Sequence, residues 1–143
     1  MARKIMKWGL IACILLASPL VYTEVQAFLT SNGAFPTINA FSAKSKTALA
    51  VIFALFNLIT AAFTAIITVL PAGFLEPKQP KIIASFFVLL TECLPVYAFF
   101  QQPNITAFTT VVMTGQVIAF VLTAFMFAEF GSRLAKKRMW TDA

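Results

Sequence analysis

The sequence predicts an all-α integral membrane protein: an antiparallel four-helix transmembrane bundle with both termini on the cytoplasmic or equivalent side. Three observations carry that prediction. First, 60% of the 143 residues are hydrophobic and only 11% charged, against about 25% charged in a water-soluble domain. Second, the apolar residues fall into four runs, about 5–27, 47–70, 82–100 and 105–130, each near the roughly 20 residues that cross a hydrocarbon core as helix. Third, the Lys and Arg residues gather on one side of those runs, as membrane topology requires.

The first run opens on "MARKIMK" and continues through "WGLIACILLASPLV". It has a second reading: a basic start, an apolar middle and "VQA" at 25–27 also suit a cleaved signal peptide, which leaves three helices. The connection after it, "FLTSNGAFPTINAFSAKSK", keeps Phe28, Leu29, Phe35, Ile38 and Phe41 and is expected on the membrane surface. The second and third runs are separated by "EPKQPK", the third and fourth by "QQPN". Such short, Pro-bearing links predict antiparallel hairpins between sequence neighbours. Residues 131–143 form a basic tail suited to an anionic lipid surface. The whole chain is one membrane domain.

Orientation follows from counting cations. Arg3, Lys4, Lys7, Lys78, Lys81, Arg133, Lys136, Lys137 and Arg138 fall on one side; Lys44 and Lys46 fall on the other. The richer side is cytoplasmic by the positive-inside rule, and Trp8 and Trp140 fall there as interfacial anchors do. The same clustering argues against a nucleic-acid partner, since no basic face is formed.

Several chemistries lack their residues. There is no histidine, which removes His-ligated haem and His-based acid/base catalysis. Cys13 and Cys93 lie within apolar runs at no metal-ligand spacing and read as buried spectators. Glu129 and Arg133, four apart, are expected to form an interfacial ion pair. No enzyme activity, metal or cofactor is predicted beyond bound lipid.

Membrane helices associate through small residues that let backbones approach. In the second run Ala50, Ala54, Ala61, Thr64 and Thr68 share one helix face with Asn57 and are expected to form the packing seam. Ile52, Leu55, Phe56, Ile59, Phe63, Ile66 and Leu70 are expected to face lipid. Counting from the run ends places Ser18, Asn57, Glu92 and Gln116 near mid-depth, one per helix, as a candidate polar layer. No Lys or Arg lies at that depth, and a dry carboxylate is costly there, so the neutral acid is the cheaper form. Pro95 kinks its helix and frees the carbonyl of Thr91 beside Glu92.

An intramembrane acid is a candidate functional residue. The function expected is a non-catalytic integral membrane subunit that packs into and stabilises a larger membrane complex. Its partners are lipids and other integral membrane subunits, with a hetero-complex favoured over a homo-oligomer. The alternative is a small oligomeric ion or proton transporter, or channel, that uses Glu92.

Overall fold

The computed structural model describes residues 2–32 and 46–141, with the side chains of residues 3–32 and 46–138. The surface-lying connection with Phe35, Ile38, Phe41 and Lys44, and the Trp140 anchor, therefore fall outside what is described. The described residues form five helices and no strand: α1 (Ala2–Leu16), α2 (Ser18–Ser31), α3 (Lys46–Leu75), α4 (Pro80–Phe100) and α5 (Ala107–Thr141). They make four helical stretches long and apolar enough to cross a membrane, with α1 and α2 together supplying the first.

The division between α1 and α2 has a local cause. Pro19 has no N–H for the carbonyl of Leu15, and its ring crowds that carbonyl. The helix hesitates at Ala17 and resumes, with Ala17 N–H donating to Cys13 and Val21 N–H to Ala17. At the start of α5, Thr106 and Thr109 cap one another: each backbone N–H donates to the other's hydroxyl, at 3.0 and 3.2 Å. This reciprocal pair satisfies donors that a helix start leaves open.

Three helices run past the ends expected from the sequence: α2 continues to Ser31 and takes in Phe28 and Leu29 of the expected connection, and the longest overruns are in α3 and α5. α3 continues through Pro71 to Leu75, and α5 continues through Gly131 to Thr141, so the basic tail begins as helix. The reason is packing. A Cβ on Gly73 would lie 2.6 Å from the carbonyl oxygen of Ala128, and one on Gly131 would collide with the carbonyl of Leu70. The two glycines let α3 and α5 touch backbone to backbone, and Ser132 Oγ donates to the Pro77 carbonyl at 2.8 Å just beyond.

The closest pair is accordingly α3 with α5, which are parallel and not consecutive, ahead of the consecutive pair α4 and α5. The expected hairpin of α3 and α4 is a lesser contact. α1 and α2 lie against α3 and α4, and Lys7 forms an ion pair with the buried Glu76 at the end of α3. This cation-rich end is called the basic end below. The core is built of small and aromatic residues, among them Ala61, Ala65, Ala72, Phe87, Phe120 and Ala124.

The seam on α3 needs correction. Asn57, Ala61, Thr64 and Thr68 are buried, Ala50 is half-buried, and Ala54 is exposed. Phe56, expected to face lipid, is buried. α3 touches every other helix, so it cannot confine its contacts to one narrow face; toward its start the neighbours fall away and leave Ala54 uncovered. Cys13 and Cys93 also lie on the outer surface instead of inside.

Candidate functional site

α4 turns Phe87, Thr91 and Glu92 inward. Glu92 is 4% exposed. Its partner comes from α5: the amide Nε2 of Gln116 donates to Oε2 at 3.1 Å and to Oε1 at 3.4 Å. Two of the four residues placed at one depth by the sequence are thus joined directly.

Ser18 and Asn57 also point inward but are not joined to that pair. Both are buried, and Ser18 Oγ and Asn57 Nδ2 have no hydrogen-bond partner among the described residues. The register between α3 and α5 accounts for Asn57. Phe53 meets Phe108 edge-on at 6.3 Å and Gly73 meets Ala128, which sets Ala61 level with Gln116. Asn57 therefore sits roughly one helical turn farther from the basic end, and the single layer expected from the sequence is two levels.

Tyr22 was not among the residues singled out from the sequence. It stands one turn beyond Ser18 on α2, on the same face, and is half-buried. Its i, i+4 relation to Ser18 was the available signal. The Tyr22 ring meets Phe120 edge-on at 5.2 Å, and Phe120 stacks on Phe87 at 5.9 Å. Phe87 precedes Glu92 on α4, and Phe120 follows Gln116 on the oppositely directed α5. Both rings therefore lie on the basic-end side of the pair, and both are fully buried.

Away from the basic end the surroundings open. A cleft of about 250 Å³ is lined by Phe53, Pro95, Phe99, Phe108, Met113 and Gln116 among others. Pro95 sits inside α4, which stays helical across it, and its ring forms part of the cleft wall. The Thr91 hydroxyl is committed to its own helix, donating to the Phe87 carbonyl at 2.8 Å. Thr60, Thr64 and Thr68 do likewise, each donating to the carbonyl four residues back at 2.8 Å. The α3 seam thus works through small size, with its hydroxyls spent inside the helix.

The acids are dispersed: among the described residues no three His, Cys, Asp or Glu side chains gather closely enough to hold a metal. Glu129 accepts from Arg133 Nε at 3.3 Å on the exposed face of α5, as the spacing suggested. What remains is a carboxyl–amide pair, floored by the two stacked rings of Phe87 and Phe120 and reached by a cleft. Such a pair can clamp α4 to α5 or meet whatever enters the cleft. Set beside protein-family models, curated proteins and solved structures, the chain matches none.

Proposed function

We propose that the chain is an integral membrane protein with four spans and both termini on the cytoplasmic side, serving as a non-catalytic subunit of a larger membrane complex. The observation that carries this reading is the aromatic floor under Glu92. Phe87 and Phe120 stack on the basic-end side of the acid, while Gln116 holds it within its own chain. A carboxyl so committed is a helix clamp, and a clamp is what a small structural subunit requires.

The outer surface supports the same reading. Phe86, Leu89, Leu94 and Tyr97 on α4, with Leu122 and Met126 on α5, are exposed large side chains that lipid or neighbouring subunits would cover. The first segment is read as a retained span: Ile11, Leu15 and Ser18 are buried against the other helices, and Lys7 pairs with Glu76. N-terminal sequencing of the mature protein is expected to read through residues 1–27.

The deciding experiment is the native mass of the detergent-solubilised protein with whatever co-purifies. A defined hetero-complex is expected; a homo-oligomer that moves ions in liposomes sinks the proposal. That second outcome is the alternative reading, an oligomeric ion or proton transporter built on Glu92. It is favoured by the cleft that reaches Gln116 and by Ser18 Oγ and Asn57 Nδ2, which have no hydrogen-bond partner among the described residues. Glu92→Gln separates the two readings, since a clamp tolerates the amide whereas a proton carrier loses flux while the protein still assembles.

A further inference from the structure

The basic end carries a second hollow, larger than the cleft beside Gln116 and opposite to it in chemistry. Its volume is about 790 Å³, and four parts of the fold wall it: α1, the end of α3, the α3–α4 connection and α5. Among the described residues, five cations line it, Lys4 and Lys7 from α1, Lys78 from the connection, and Lys136 and Arg138 from α5, beside the carboxylate of Glu76. The Lys7–Glu76 ion pair fixes α1 against the end of α3 and so holds two of the walls together.

A further hollow adjoins it along α1, lined by the apolar Met6, Leu10 and Leu75 together with Arg3, Lys4 and Lys7; Lys4, Lys7 and Leu75 line both. Met6 is 73% exposed and Leu10 51%. A charged mouth continuous with an apolar groove fits an amphiphile, and a soluble anion leaves the groove unused. Trp8 stands at the cationic hollow as an amphipathic ring does at headgroup level. Basic pockets between helices on the cytoplasmic side accommodate polyanionic headgroups on general grounds of charge and depth.

We propose that this hollow is a binding site for an anionic phospholipid whose headgroup carries more than one negative charge, with Lys4, Lys78, Lys136 and Arg138 around the phosphates and an acyl chain along Met6, Leu10 and Leu75. The assignment rests on the membrane-embedded reading but not on the subunit or transporter function. Resistance of the protein to alkaline extraction from membranes tests that reading separately.

The experiment measures lipid retention on the full chain in mild detergent by native mass spectrometry. The probes are cardiolipin, phosphatidylglycerol, phosphatidylcholine and inorganic pyrophosphate. Cardiolipin is expected to bind at least tenfold more tightly than phosphatidylcholine, with phosphatidylglycerol between. A Lys78→Gln/Lys136→Gln double variant, checked for helicity and monodispersity, is expected to weaken cardiolipin roughly 30-fold, from two cations removed near an anionic headgroup. Lys81→Gln, which removes a cation outside the hollow, is expected to leave binding within about twofold. Equal retention of cardiolipin and phosphatidylcholine, or an equal loss in the Lys81→Gln control, overturns the site. Pyrophosphate binding as tightly as cardiolipin overturns the lipid as its occupant.

Discussion

The α3–α5 seam is built from similar small residues along its length and packs in opposite ways at its two ends. At the basic end Gly73 and Gly131 have no room for a Cβ, and α3 and α5 touch through their backbones. Toward the other end Gly115, also on α5, has nothing within 4 Å of where its Cβ would be, Ala54 is exposed, and a cleft stands open beside Gln116. Small residues permit close approach but do not compel it. Closure at the basic end comes with two further ties, Ser132 to Pro77 and Lys7 to Glu76. Glu92 sits at the boundary between the half where the α3–α5 seam is closed and the half where it opens.

The sharpest way to break this contrast is to place a side chain at each glycine. Gly131→Val drives two methyl groups toward the Leu70 carbonyl, so the loss is expected at or above the upper end of the roughly 1–3 kcal/mol typical of overpacking. Gly115→Ala meets nothing and removes a helix-interior glycine, with an expected gain of up to about 1 kcal/mol. Unfolding equilibria in mixed micelles read both. Equal effects at the two positions would show that the ends do not differ.

Next in size is the ionic tie. Glu76→Ala is expected to cost about 1–2 kcal/mol by the same measurement. That is below the roughly 3–5 kcal/mol of a fully buried pair, because the Lys7 side chain remains 35% exposed and solvent screens it. A loss of zero would mean that the Ser132–Pro77 bond and the glycine contact close this end unaided.

The contrast also explains what the sequence could and could not reveal. Four apolar runs, with Pro and polar links between them, were legible because a bilayer demands length and apolarity of every span. The Glu92–Gln116 pair was legible for a related reason, since counting inward from run ends gives depth to within a turn or so. Partner choice was not legible. Gly73, Gly131 and Ser132 fall at or beyond the expected run ends, where they read as linker and tail, and no count along one strand of sequence shows that α3 meets α5. The depth of Asn57 failed on the same ground, because the register of α3 is set by those glycines and not by where its apolar run begins.

At the boundary itself the expected effects are smaller. Glu92→Ala leaves the Gln116 amide without its acceptor in a half-buried place and is expected to cost about 1–3 kcal/mol. Glu92→Gln keeps an acceptor oxygen opposite that amide, and its cost is expected to stay below about 1 kcal/mol. If both variants lose the same amount, the carboxyl does something other than accept from Gln116.

The smallest expected effects are the most discriminating for the open half. Ser18 Oγ and Asn57 Nδ2 are buried with no partner among the described residues, a condition that native interiors rarely leave unrelieved. If they are truly unpaired, replacing them with apolar residues of similar shape removes a desolvation penalty and nothing else. Ser18→Ala and Asn57→Leu are then expected to change stability by no more than about 0.5 kcal/mol, or to raise it slightly. A loss of about 1 kcal/mol or more in either one means that water or a bound ligand supplies the missing partner. Since Asn57 lies a turn above Gln116 on the cleft side, a loss confined to Asn57→Leu would extend the polar site from the Glu92 pair into the open half, and would move the balance from a clamp toward a path.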